Sequence, residues 1–225
     1  KIKKTTDGGF TWTLSYTLSS AICEIKFITD QIGFFTVREY VAASNSMWRT
    51  TNQGATWASC MTNPTFEQCR KMSFINSTTG YLVKVNTSLY ENILLKTTDA
   101  GGNWLQISVL PIEVPHSRGF YFDMKPDGNG YIGFALPSSP YFNVIYKTTN
   151  FGMNWIQAAI LPLNGGYIYR AQFNYPVCDF PESGLGYYVS NGGLILKTTN
   201  FGMNWSNKTS VWGTLGQLRD ITFVN

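Results

Sequence analysis

Nearly the same nine residues occur five times in this chain, and a period of this size restricts the fold more than any other feature. The copies are Lys4-Thr-Thr-Asp-Gly-Gly-Phe-Thr-Trp12, Arg49-Thr-Thr-Asn-Gln-Gly-Ala-Thr-Trp57, Lys96-Thr-Thr-Asp-Ala-Gly-Gly-Asn-Trp104, Lys147-Thr-Thr-Asn-Phe-Gly-Met-Asn-Trp155 and Lys197-Thr-Thr-Asn-Phe-Gly-Met-Asn-Trp205. Their first residues step by 45, 47, 51 and 50 positions. Such spacing marks one supersecondary unit repeated as a ring or array, in which no unit buries its apolar face alone.

Each nonapeptide has the chemistry of a hairpin turn. Asp or Asn at the fourth place (Asp7, Asn52, Asp99, Asn150, Asn200) can accept backbone N–H bonds from the residues that follow. Gly at the sixth place permits positive φ, and Thr at the second and third favours extended backbone. Trp at the ninth (Trp12, Trp57, Trp104, Trp155, Trp205) opens the outgoing strand and is expected to be buried between neighbouring units. Because Asn replaces Asp in three of five copies, the role of Asp7 and Asp99 reads as structural, with no metal at these carboxylates.

A second signature precedes each turn. A run ending in Phe leads to a Gly and a further apolar run: Ile25-Lys-Phe-Ile-Thr with Gly33, Met72-Ser-Phe-Ile-Asn with Gly80, Phe120-Tyr-Phe-Asp-Met with Gly130, and Ala171-Gln-Phe-Asn-Tyr with Gly186. A third run enters the turn and a fourth follows Trp. Four short strands per repeat, without helical periodicity, predict an all-β chain of four-stranded antiparallel blades, a β-propeller. The expected division of the single domain 1–225 is a partial blade at 1–20, blades at 21–66, 67–114, 115–165 and 166–210, and the first strand of a further blade at 217–225.

The nonapeptides resemble the Asp-box (BNR) repeat. In the fuller form Lys-Thr-Thr-Asp-x-Gly-x-x-Trp, with a Gly-Tyr/Phe strand before it, the chain looks most like the photosystem II stability/assembly factor family and its secreted bacterial relatives. That resemblance implies a ring of about seven blades, of which 225 residues would be a segment. Asp-box propellers include sialidases, other glycosidases, sorting receptors and binding proteins, so the resemblance speaks to fold more than to activity.

Charged residues are 13% of the chain, well below the usual proportion, and Tyr, Asn, Ser, Thr and Gly are plentiful. That composition suits a secreted, periplasmic or cell-surface β-protein. Net charge is +4 without a Lys/Arg run, which argues against nucleic acid, and no apolar stretch is long enough to span a bilayer. With a single His and no Cys-x-x-Cys, no zinc site or other metal cofactor is expected. Cys60 and Cys69 bracket a blade connection and are the candidates for a disulfide, with two buried free thiols as the alternative; Cys23 and Cys178 complete the set. Sequons stand at Asn76, Asn86, Asn204 and Asn207.

No catalytic constellation emerges. His116 lies in Pro115-His-Ser-Arg118 with no nucleophile elbow near it. Only 13 Asp and Glu occur, and Glu24, Asp123, Asp179 and Asp220, though not assigned to turns, form no recognisable glycosidase pair. The recurring chemistry is cationic. Arg70, Arg118, Arg170 and Arg219 step by 48, 52 and 49, each expected at the start of a first strand; in the first blade Cys23 stands in that place. Guanidinium groups around one channel mouth would accept carboxylates, and the assembly factors are expected to carry an arginine patch that binds a partner polypeptide. The sequence therefore predicts a non-enzymatic scaffold whose partner is another protein or an acidic or C-terminal peptide. The alternative is a glycan-binding module or a sialidase-like glycosidase fragment, for which Trp48 and Trp212 are the tryptophans outside the repeats.

Overall fold

The computed structural model describes residues 1–19, 21–38, 45–62, 67–86, 91–111, 118–135, 142–162, 177–182, 184–189 and 194–209. They form two compact units, Lys1–Pro115 and His116–Asn225. The first unit contains a two-stranded sheet, β1 (Ile2–Lys4) and β2 (Thr13–Tyr16), and two four-stranded sheets. These are β3 (Ala21–Phe27), β4 (Gly33–Arg38), β5 (Asn45–Thr50), β6 (Ala58–Thr62), then β7 (Glu67–Phe74), β8 (Gly80–Asn86), β9 (Glu91–Thr97), β10 (Leu105–Val109). The second unit holds β11 (Arg118–Met124), β12 (Gly130–Ala135), β13 (Phe142–Thr148), β14 (Ile156–Pro162) and β15 (Val177–Glu182), β16 (Leu185–Val189), β17 (Ile195–Thr198), β18 (Ser206–Asn207). Every sheet is antiparallel and ordered as the chain runs. This is the all-β, four-stranded architecture expected of the repeats.

Four of the nonapeptides occupy the hairpin between the third and fourth strands of a sheet, and the first occupies the hairpin between β1 and β2. In each, the Asp or Asn side-chain oxygen accepts the backbone N–H four residues on: Thr11 to Asp7 at 2.9 Å, Thr56 to Asn52 at 2.9 Å, Asn103 to Asp99 at 2.9 Å, Asn154 to Asn150 at 3.0 Å and Asn204 to Asn200 at 2.9 Å. The first threonine of each pair does more than favour a strand. The Thr97 hydroxyl donates to Asp99 Oδ1 at 2.8 Å and accepts from Asp99 N at 3.3 Å and Gly101 N at 2.9 Å. Thr5, Thr50, Thr148 and Thr198 repeat the arrangement. A hydroxyl can donate and accept at once, so it alone of the small side chains fits the position.

Positive φ extends to two residues of the turn, not one. Gly54, Gly101, Gly152 and Gly202 are left-handed as expected, but so are Gln53, Ala100, Phe151 and Phe201 before them. Two successive positive φ values match the type I′ pattern, which follows the right-handed twist of the strands. The fifth-place N–H also donates to the turn joining the sheet's first two strands: Gln53 to Gln31 O, Ala100 to Thr78 O, Phe151 to Gly128 O and Phe201 to Gly184 O, at 2.8–3.0 Å. That bond ties the two hairpins of a sheet together.

The Phe-to-Gly signature has a steric cause. Phe27 pairs with Gly33 and Phe74 with Gly80, and a Cβ on either glycine would lie 2.7 Å or 2.5 Å from the ring. The ring lies over the glycine backbone. In the next sheet this place is taken by Met124 opposite Gly130, two residues beyond the expected Phe122. In the last sheet the described first strand is Val177–Glu182, and the run at Ala171–Tyr175 lies outside the described residues. The repeat fixes a register opposite Gly, and residue identity follows it only where an aromatic is there to fill it.

Within the first unit the sheets stack face to face. Phe35, Val37, Trp48 and Trp57 on β4–β6 meet Ile2, Tyr16 and Leu18, while Phe34 and Met47 face Met72, Leu82, Ile93 and Leu95. Adjacent Phe34 and Phe35 thus serve opposite faces, as period-two alternation requires. In the second unit Tyr131, Ile145 and Leu161 meet Tyr188, Leu194 and Leu196. The tryptophans depart from uniform burial. Trp57 is 9% exposed against the Phe35 and Phe27 rings, Trp104, Trp155 and Trp205 are half-buried, and Trp12 is 56% exposed. Trp12 lies in the β1–β2 hairpin, where no Phe from another strand packs against it among the described residues.

Thr148 is buried and Thr149 exposed, although both are strand-forming threonines of one motif. Thr148→Val should therefore cost about 1–3 kcal/mol by leaving the Gly152 and Asn150 N–H groups unpaired. Thr149→Val should fall within about 0.5 kcal/mol of the parent in denaturant unfolding.

Candidate functional site

The carboxylates divide between turns and strands. Asp7 lies wholly exposed, yet hydrogen bonds from the Thr11 hydroxyl and amide and from Thr5 hold it down to about 2. For Asp99 the Asn103 amide leads, followed by the Asn103 side chain and Thr97, and its value is also about 2. Where Asn stands instead, the polarity of the side-chain bond reverses, and Asn52 Nδ2 donates to Thr56 Oγ1 at 2.8 Å. The eighth residue is Thr or Asn because either complements both variants of the turn.

On the first strands, Glu24 accepts from Met72 N at 3.0 Å and lies 3.5 Å from Lys71 Nζ, linking β3 to β7. Asp123 pairs with Lys125 at 2.6 Å, and Asp127 accepts from Asn129 N and Nδ2. Each is thus engaged in structural bonding. Among the described residues no group of three or more His, Cys, Asp or Glu gathers. Asp179 sits on β15, its side chain outside the described set, and His116, Trp212 and Asp220 lie outside the described residues.

Arg70 and Arg118 do not share one structural position. Arg70 is the extra residue of a bulge in β7, between Cys69 opposite Lys84 and Lys71 opposite Val83, four residues before Phe74. Cys23 holds the same place in β3, four residues before Phe27. Arg118 instead opens β11 opposite Ala135, six residues before Met124, and the bulge falls on the next residue, Gly119. Arg170 and Arg219 lie outside the described residues, as do the side chains of Arg70 and Arg118. Between Arg70 and Arg118 the 48-residue step in sequence does not carry over into register.

Two further expectations are corrected. Trp48 does not present a ligand surface: it is 7% exposed and stacks on Phe35 at 5.0 Å with 8° between the planes. Cys60 and Cys69 are free thiols, as is Cys23. Cys69 contacts Ser46 Oγ at 3.2 Å and Met61 Sδ at 3.5 Å, and the Cys60 thiol approaches Met47 O at 3.6 Å, so the two sulfurs have separate partners in one core. Sequence spacing could bracket the blade connection but not the bulge that orients Cys60.

Comparison with solved structures places these sheets among β-propellers. YCF48 from Cyanidioschyzon merolae is similar with a TM-score of 0.56 at 16% identity, over 92% of this chain and 62% of that one. A chain of a nidogen/laminin complex gives 0.57 at 13% identity, over 92% and 70%. A GH74 xyloglucanase from Xanthomonas campestris gives 0.53 at 16% identity, over 81% of this chain but only 28% of its own. No family model matches the chain, and no curated protein does. At these identities the likeness is one of fold, and it embraces a hydrolase and a member of a protein complex alike.

The depressed turn carboxylates give a pH signature. A folded-state value of about 2 against roughly 4 in the unfolded chain makes Asp7 and Asp99 stabilising above about pH 4, a contribution lost as pH falls through about 2. The amide resonances of Thr11 and Asn103 should titrate with midpoints near 2. Those of Thr56, Asn154 and Asn204, bonded to neutral Asn, should not move over that range.

Proposed function

We propose that this protein is a non-catalytic propeller scaffold that binds another protein or an extended peptide. The observation that carries the reading is the engagement of four described carboxylates: Asp7 and Asp99 close turns, Glu24 joins β3 to β7, and Asp123 pairs with Lys125. Glycoside hydrolysis needs two carboxyl groups facing one bond, one of them protonated. The turn aspartates are held the opposite way, as anions. The five turns are those of Asp-box repeats, whose fourth residue serves geometry and not chemistry.

Partner recognition falls to positions that differ between repeats. Arg70, at a bulge on a first strand, has the chemistry for a carboxylate of an acidic or C-terminal peptide segment, and Arg118 at the head of β11 has it independently. The low charge content and high Ser, Thr, Asn and Tyr content suit a secreted or surface setting.

The test pairs capture with turnover. The intact protein, offered acidic and C-terminal peptides alongside a glycan array and a panel of glycoside substrates, should retain peptides with an affinity that weakens as salt rises. Arg70→Ala or Arg118→Ala should reduce that retention at unchanged melting temperature. Turnover of a glycoside, abolished by Glu24→Gln or Asp123→Asn in a protein that still folds, would replace the scaffold with a hydrolase. Retention of glycans alone would make it a lectin-like module.

A further inference from the structure

Three sulfur side chains from neighbouring sheets converge in the core of the first unit. Met47 on β5 pairs with Met61 on β6, and Trp48 pairs with Ser59, which leaves Cys60 as an extra residue. Consecutive residues of a regular strand face opposite sides; the bulge cancels that alternation. Cys60 and Met61 consequently both pack against the cluster that contains Met47 and the fully buried Cys69 of β7. Two of the four cysteines and three of the six methionines meet in this one place.

We propose that Cys60, Met61 and Cys69 form a binding site for a single soft monovalent metal ion, Cu(I) in particular. Cys69 Sγ lies 3.5 Å from Met61 Sδ, within a few tenths of an ångström of the spacing two sulfurs adopt on one ion, about 3.8 Å for bonds of about 2.3 Å. The donor set selects the metal: a thioether beside two thiols is a soft set, and the thioether favours Cu(I) over Zn or a hard cation. Around it stand the two groups such a complex needs. The Ser46 hydroxyl, 3.2 Å from Cys69 Sγ and buried, can donate to a metal-bound thiolate. The Arg49 guanidinium has its buried Nε without a hydrogen-bond partner.

Charge accounts for that arginine. Two thiols exchange two protons for one monocation, so the complex carries a single negative charge that the half-buried Arg49 guanidinium offsets. Thiols ordinarily carry their protons at neutral pH, so uptake should release protons and strengthen as pH rises.

The experiment is an anaerobic Cu(I) titration of the reduced full chain against bicinchoninate, in a Cys23→Ser, Cys178→Ser background that removes the other thiols. One equivalent should bind, with release of about two protons at neutral pH. Cys69→Ser should abolish uptake. Met61→Leu, which preserves volume and removes only the sulfur donor, should weaken it by about tenfold or more while leaving melting of the metal-free protein nearly unchanged. Failure to retain an equivalent against the competitor overturns the site. So does uptake that Met61→Leu leaves unchanged, or that survives in a Cys60→Ser, Cys69→Ser double variant.

Discussion

The buried threonine hydroxyl at the second place of the four later repeats organises the rest of the sheet. Thr50, Thr97, Thr148 and Thr198 are 1–2% exposed, where an unmet polar group is costly, and each hydroxyl meets one acceptor and two donors. It orients the Asp or Asn oxygen, which in turn fixes the amide four residues on. With both ends held, the two left-handed residues between them are set, and the fifth-place N–H is aimed at the turn of the neighbouring hairpin. A side chain that only accepts, or only donates, would break this sequence at its first step.

The turn places the ring that follows it. Trp155 and Trp205 return their indole N–H to the sixth-place Gly carbonyl of their own turns at 3.0 and 2.9 Å. Trp57 uses Ser15 instead, at 3.1 Å, and Ser15 itself donates to Gly54 O, so that turn leans on the outgoing strand of the preceding repeat. Trp12 makes the local bond to Gly9 at 2.9 Å and is still largely exposed. Motif chemistry sets where the indole points. Burial depends on the strand that lies against it.

That distinction separates what was legible in the sequence from what was not. The turns were legible because their causes are local: Asp7 and Asn52 bond within four residues, and Gly54 needs only its own φ. The left-handed Gln53, Ala100, Phe151 and Phe201 were not, because their strain is offset by a bond to another hairpin. First strands were read least well. Their bulges at Cys23, Arg70 and Gly119 shift facing without changing composition, so Arg70 and Arg118 keep their spacing and lose their equivalence. Trp48 was misjudged for a related reason: it lies outside the motif but shares the face of Phe35, which only the pairing of β4 with β5 reveals.

Interchange of Asp and Asn at the fourth place shows what that place requires. Both supply a side-chain oxygen at 2.9–3.0 Å from the same amide, and the eighth residue adapts to whichever is present. The charge of Asp7 and Asp99 is then incidental to the fold and is consumed by it. Positions that recur in every repeat are those the architecture has already claimed. Chemistry that belongs to this protein and not to its architecture must come from residues that occur once. In the first unit those are the Glu24–Lys71 link, the bulged Arg70, and the sulfurs that the extra residue in β6 turns toward Cys69.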